Sequence, residues 1–304
     1  MNKGFLIFFA CCVFFAENTF AQENNQSVPT GFDFFFNAGM YKGHKFNADY
    51  YRGVPDNLNK RYGDPDIDFV LYNRYRRDEI LALVRDNNRG VIVDENNFPK
   101  VSLSNMHYNL AFYFEIGARY RFNESLMLSF LFGQTRLTAS GDASFGFLGT
   151  GSNLDVGNIV YLKYPLMGKE RRTFFQAHVT CLFHTVVDYI FPFIEFGGHL
   201  NSAKVLSADL IVEKRFFDMI NRYGEGYHYD PSISAPKINP HIGGVGYGFL
   251  GGFGIRIAFS EWAAVEPVVQ VSFDKLNLSS FGKIRPNYSF MIRLVVGDRI
   301  FANK

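Results

Sequence analysis

Tyr108-Asn109-Leu110-Ala111-Phe112-Tyr113-Phe114-Glu115-Ile116-Gly117-Ala118-Arg119-Tyr120-Arg121-Phe122 decides the fold. Even positions carry Tyr108, Leu110, Phe112, Phe114, Ile116, Ala118, Tyr120 and Phe122, and odd positions carry Asn109, Ala111, Tyr113, Glu115, Gly117, Arg119 and Arg121. Successive side chains of an extended strand point to opposite faces, so a period of two separates the greasy set from the polar set; a helix would mix them.

The same period continues on both sides of this stretch. After Asn123-Glu124, Leu126, Leu128, Phe130 and Phe132 oppose Ser125, Ser129, Gly133 and Thr135, which predicts a tight hairpin. Upstream, Phe32, Phe34, Phe36, Ala38 and Met40 predict a first strand, and downstream Val160, Leu162, Tyr164 and Leu166 predict a shorter fourth. Phe175, Ala177, Val179, Cys181 and Phe183 alternate until the phase slips near Asp188, beyond which Ile190, Ile194 and Phe196 are the apolar set. One bulged strand or two strands fit that region. Two more alternating runs meet at Ser260-Glu261, and Tyr288, Phe290, Ile292, Leu294 and Val296 form the last apolar face. The expectation is an all-β, antiparallel transmembrane β-barrel of eight strands, with ten as the alternative, because such barrels close with even numbers.

Three links read as short: Asn123-Glu124, Gly168 to Arg172, and Ser260-Glu261. Four read as long: residues 42–107, 140–157, 201–241 and 275–286, so that short turns line one rim and long extracellular loops the other. Phe122, Phe259 and Trp262 flank the short turns, where an aromatic girdle is expected. Within the first long loop, an insertion over 42–107, Leu71 to Arg85 has the pattern of a short amphipathic helix. It reads as packing on the rim or as a docking surface for an outside partner.

The chain opens with Met1-Asn2-Lys3, an apolar run from Gly4 to Ala16, and Thr19-Phe20-Ala21-Gln22. That is the pattern of a signal peptide over residues 1–21, cleaved between Ala21 and Gln22, with the barrel domain over 22–304. Cys11 and Cys12 make acylation the lesser reading, since the residue three places before Cys11 is the aromatic Phe8 and cleavage there would leave a short apolar core. Removing residues 1–21 takes away Lys3 and Glu17 and leaves the net charge at +2, which gives no reason to expect a nucleic-acid partner. Cys181 then stands alone, so no internal disulfide is available. No later stretch offers about 18 uncharged apolar residues, so any membrane crossing is made by strands.

Alternation alone does not say which face is outside. The polar face is rich in small residues (Gly39, Gly117, Gly133, Gly252, Gly254, Gly297, Ser125, Ser129), and Lys163 is nearly its only lysine. A solvated exterior favours long charged side chains, whereas the lumen of an eight-stranded barrel is only wide enough to be filled by side chains. The polar face is therefore read as inward. It places Asp33, Glu115, Glu195 and Glu266 beside Arg119, Arg121, Arg256 and Arg293, a balanced set that predicts a salt-bridged plug.

Tyr161-Leu162-Lys163-Tyr164-Pro165-Leu166, Pro192-Phe193-Ile194-Glu195-Phe196-Gly197-Gly198, Gly252-Phe253-Gly254-Ile255 and Ile292-Arg293-Leu294 resemble segments of the PorT-like bacterial outer-membrane barrel family. The resemblance implies residence in the bacterial outer membrane and, for some members, a part in protein secretion or surface assembly. The 42–107 insertion departs from the compact family pattern. The expected function is a non-enzymatic barrel with a plugged lumen, acting as a structural or interaction component at the cell surface. Its expected partners are outer-membrane lipid and, through the long loops, another surface or secretion protein. A small porin-like channel and a lipid-modifying enzyme are the alternatives.

Three motifs suggest other chemistry. Gly246-Tyr247-Gly248-Phe249-Leu250-Gly251 spells a dinucleotide fingerprint, but alternation continues through Phe259 where that fingerprint requires a helix. His178, Cys181 and His184 have an odd spacing that sends the cysteine to the opposite face, and the two histidines, about 20 Å apart along a strand, read as lumen residues. His228, Asp230 and His241 share a long loop and form the one metal-like cluster that strand geometry leaves open. No catalytic constellation, cofactor or metal is expected.

Overall fold

A computed structural model of the chain describes residues 31–53, 63–88, 91–93, 99–149, 159–187, 189–223, 230, 242–260 and 262–297. The expected signal peptide, its Ala21/Gln22 cleavage site, and His228 and His241 lie outside them. Eight strands close into a ring: β1 (Gly31–Lys42), β2 (Ala111–Arg121), β3 (Leu126–Gly149), β4 (Ile159–Leu182), β5 (Ile190–Val212), β6 (Gly243–Ala258), β7 (Ala263–Lys275) and β8 (Ile284–Gly297). Each pairs antiparallel with its neighbours in sequence, and β8 returns to β1 with Val295 opposite Phe35.

The eight strands are divided differently from the sequence expectation. Gly168 to Arg172 is no turn; β4 runs straight through it. The phase slip near Asp188 is instead the reversal between β4 and β5, where the Thr185 hydroxyl donates to the Val187 and Ile190 carbonyls at 3.0 and 2.6 Å. The other two reversals on this rim are also fixed by side chains. Asn123 Oδ1 accepts from the amides of Ser125 and Leu126 at 2.9 and 2.7 Å, and Ser260 Oγ accepts from the Ala263 amide at 3.1 Å.

A belt of exposed apolar side chains girdles the ring, including Phe34, Phe112, Phe130, Phe175, Phe253 and Phe290. Phe122, Phe259 and Trp262 are exposed at its short-turn edge. At the other edge the alternation inverts. On β3 the outward residues change from Phe130 and Phe132 to Gln134, Arg136 and Thr138, while the inward ones change from Ser129 and Gly133 to Leu137, Ala139, Ala143 and Phe145. The change falls on a single register row, Gln134 opposite Thr173 and Thr173 opposite Ser202. A bilayer wants grease outside and a water-exposed sheet wants it inside, so this row marks the belt's upper edge.

Beyond that row β3, β4 and β5, which are 24, 24 and 23 residues long, continue as a projecting sheet. A tilted span needs only about 9–11 residues. The loops expected from Ser140 and from Asn201 are therefore strand as far as Gly149 and Val212. Tyr164 and Leu166, expected on a lipid-facing side, are buried on the inner face, and Lys163 points outward. β5 changes phase in this region: Lys169 pairs Ser207 but Glu170 pairs Val205, so Leu206 is an extra residue and the inward set moves from Val205 to Ala208 and Leu210.

The first long loop fills the concave side of this sheet. It carries α1 (Lys45–Ala48), a 3₁₀ turn (Asp49–Arg52), α2 (Ile67–Leu71) and α3 (Arg74–Asn87). The amphipathic helix expected over Leu71 to Arg85 is two helices, because Asn73 Oδ1 accepts from the Arg76 amide at 3.1 Å and starts a new one. Ile67, Val70, Ile80, Leu81 and Val84 are buried in one cluster with Phe145, Leu210, Val212 and Phe217. Short strands at Val91–Ile92, Lys100–Leu103 and His107–Tyr108 add to the edge of β3, and Arg215–Asp218 adds to β5.

Candidate functional site

The lumen holds two layers of buried ions. In the layer nearer the short turns, β2 supplies Arg119, whose guanidinium lies 3.2 Å from Asp33 and 2.5 Å from Glu266. Arg121 reaches Asp33 at 3.2 Å and Arg256 reaches Glu266 at 3.4 Å. Arg293 on β8 lies 3.2 Å from Glu266 and 3.1 Å from Glu195, and His178 lies 3.4 Å from Glu195. Phe35 sits between two of these guanidiniums, with Arg119 5.5 Å and Arg293 4.9 Å from its ring centroid.

Seven of the eight charges singled out in the sequence meet in this layer as ion pairs. Glu115 is held differently: it accepts from Asn37 at 2.7 Å, from Gln176 at 2.6 Å and from the Tyr113 hydroxyl. Asn37 in turn accepts from Arg293 Nε at 3.1 Å, which links Glu115 to the ionic layer through a neutral amide.

The second layer lies toward the long-loop rim and sequence reasoning missed it. Glu170 and Arg172 on β4 pair at 2.5 Å. Glu170 Oε2 also accepts from the hydroxyls of Tyr51 at 2.6 Å and Tyr108 at 3.0 Å. Arg172 donates to the Tyr41 hydroxyl at 3.1 Å. Asp274 accepts from Asn287 at 2.8 Å and lies 2.6 Å from His199 Nε2. Glu170 and Arg172 were hidden by the turn reading of Gly168 and by the run Lys169-Glu170-Arg171-Arg172-Thr173, which is polar on both faces and so carries no alternation of its own.

Gly168 has a packing reason rather than a turn reason. An ideal Cβ there would lie 2.1 Å from Tyr51 Cγ, so only glycine lets the Tyr51 ring lie across β4. Tyr51 is completely buried, and burial followed by the Glu170 carboxylate pushes its hydroxyl pKa well above the ordinary value. The first loop is thus anchored by a neutral phenol on a buried carboxylate. Gly248, part of the dinucleotide-like spelling, lies within the unbroken strand β6, and a Cβ there would crowd Asp274 Oδ1 and His199 Cε1 at 2.9 Å.

His178 faces the lumen, but His184 lies in the exposed turn 3.5 Å from Glu124, so it is no lumen residue. Among the described residues no group of three His, Cys, Asp or Glu side chains is placed to hold a metal ion, and no helix is long and apolar enough to cross a membrane.

No protein-family model and no curated protein matches the chain. Among solved structures it is similar to Neisserial surface protein A, at 12% identity and a TM-score of 0.38, covering 88% of this chain and 98% of that one. It is also similar to Ail, the attachment invasion locus protein of Yersinia pestis, in complex with the heparin analogue sucrose octasulfate, at 10% identity and a TM-score of 0.35, covering 88% and 99%. Ail without that ligand aligns at 11% identity and a TM-score of 0.33, covering 88% and 98%.

Proposed function

We propose that the chain is a bacterial outer-membrane barrel without enzymatic activity, whose ion-filled lumen is a structural plug and whose long-loop rim engages another surface or secretion component. The observation that carries this reading is the double occupation of the lumen. Buried guanidiniums and carboxylates span its width, and the first long loop is tied into its mouth through Tyr51 and Glu170. A buried ion left without its partner is strongly destabilising, so a water-filled path through these layers would have to break pairs that hold the ring in register.

The rim has features that suit a partner. Tyr72, Tyr75 and Phe216 are exposed beside Arg74, Arg77 and Arg215, which pair with Asp78 and Glu79, an aromatic and charge-paired mixture on a folded support rather than on free loop. The resemblance to PorT-like barrels supports a secretion or assembly role for that partner.

Planar-bilayer recording of the purified full chain tests the plug. The expected result is no steady single-channel current; reproducible unitary currents would overturn it in favour of a small channel. Crosslinking in native membranes, read by mass spectrometry, identifies what the rim touches.

A further inference from the structure

Directly above the belt edge, Arg136 on β3 lies opposite Arg171 on β4, and Arg171 lies opposite Lys204 on β5. All three belong to the outward set of their strands, two positions beyond the row where the apolar belt ends. Cross-strand neighbours stand about 5 Å apart, so the row presents three cations within roughly 10 Å. Among the described residues, no carboxylate lies within ion-pair distance of any of the three. The nearest outward acids in register are Asp142 and Asp209, several residues further from the belt. Inside the barrel the same chain matches nearly every guanidinium with a carboxylate, yet here it sets like charges side by side, an arrangement that is destabilising without a counter-ion.

We propose that Arg136, Arg171 and Lys204 bind the phosphate of an anionic lipid headgroup at the upper edge of the belt. This rests on the reading of the chain as a membrane barrel. The chemistry fits: guanidiniums bind phosphate oxygens through paired N–H donors, the lysine adds a mobile point charge, and the position is the depth at which headgroups begin. Lys169, two positions further along β4 on the same face, is the next cation up, and it interacts with Asp209.

The test uses the full chain in zwitterionic detergent micelles, after its insertion into those micelles has been verified. Failure of that first step overturns the membrane-barrel reading itself and is scored separately. Native mass spectrometry then measures retention of phosphatidylglycerol, a bisphosphorylated glucosamine lipid and phosphatidylcholine, for the natural chain and for the combined variant Arg136→Gln, Arg171→Gln and Lys204→Gln. The natural chain is expected to hold the two anionic lipids more than about tenfold better than phosphatidylcholine, and the variant to lose that preference. The variant is also expected to be at least as heat-resistant as the natural chain in zwitterionic micelles, because a like-charge row has been removed. The combined Arg136→Lys and Arg171→Lys form guards against misfolding and is expected to keep part of the preference. Equal retention by the natural chain and the glutamine variant would overturn the proposal. Release of the lipid by millimolar inorganic phosphate would overturn it too, by assigning the row to soluble anions.

Discussion

Arg119 and Glu266, 147 positions apart in the chain, meet inside the barrel through two hydrogen bonds, Nη2 to Oε1 at 2.5 Å and Nη1 to Oε2 at 3.2 Å. Their strands β2 and β7 are not neighbours in the ring, so the pair braces the lumen across its width. Glu266 also receives Arg293 and Arg256, which makes one carboxylate the meeting point of three guanidiniums.

Glu266→Ala therefore leaves three buried cations short of a partner. Its expected cost is about 3–5 kcal/mol in denaturant titration of the folded chain in micelles. Glu115→Gln, where the carboxylate is held by neutral donors, is expected to cost less, about 1–3 kcal/mol. Equal effects would show that the two acids do not differ in kind.

Gly168→Val places side-chain atoms where the Tyr51 ring lies. The ring, and the loop that carries it, is expected to lift from the mouth at a cost of about 1–3 kcal/mol. Limited proteolysis checks this: residues 43–53, 63–88 and 99–110 become sensitive while the ring of strands stays resistant.

The raised hydroxyl pKa of Tyr51 sets an alkaline limit on the same loop. Its contribution is complete below the ordinary tyrosine value of about 10 and is lost as pH rises from there toward the higher folded value, by about 1.4 kcal/mol per pH unit. Loop protection from protease is expected to fall above about pH 10 in the natural chain and to fall less steeply in Tyr51→Phe.

Phe130 and Thr138 both belong to the outward set of β3 but lie on opposite sides of the row at Gln134. Phe130→Arg is expected to cost about 2–4 kcal/mol and Thr138→Arg between about 0 and 1. Spin labels at Phe112 and Phe253, which are 60% and 62% exposed, are expected to meet acyl chains, and a label at Ser144 to meet water. Water at the first two positions would remove the membrane from the account.

β1, β2 and the three last strands were legible because each keeps one greasy face throughout. The upper halves of β3, β4 and β5 were not. Tyr164 and Leu166 have the right period, but above the bilayer the same period carries the opposite meaning, and a sequence does not mark where the solvent changes. Gly168 was misread for a related reason: glycine serves both turns and close approaches, and only the Tyr51 ring tells which. Arg119, Glu266 and Arg293 were legible because charge on a small-residue face leaves few alternatives. Glu170 and Arg172 were lost with the mistaken turn, and the meeting of Asp274 with His199 could not be read, because strand register is invisible in the chain.

The pairing of β3 with β4 is unbroken from Leu126 opposite Cys181 to Leu148 opposite Ile159. β3 and β4 are antiparallel and follow one another in the chain at that end, so a pull on the far tip would draw both the same way and would load sideways, all at once, the rungs that tie β3 to β2 and β4 to β5. The projecting part is therefore a stiff post rising from the ring, held along its flanks rather than at its foot alone.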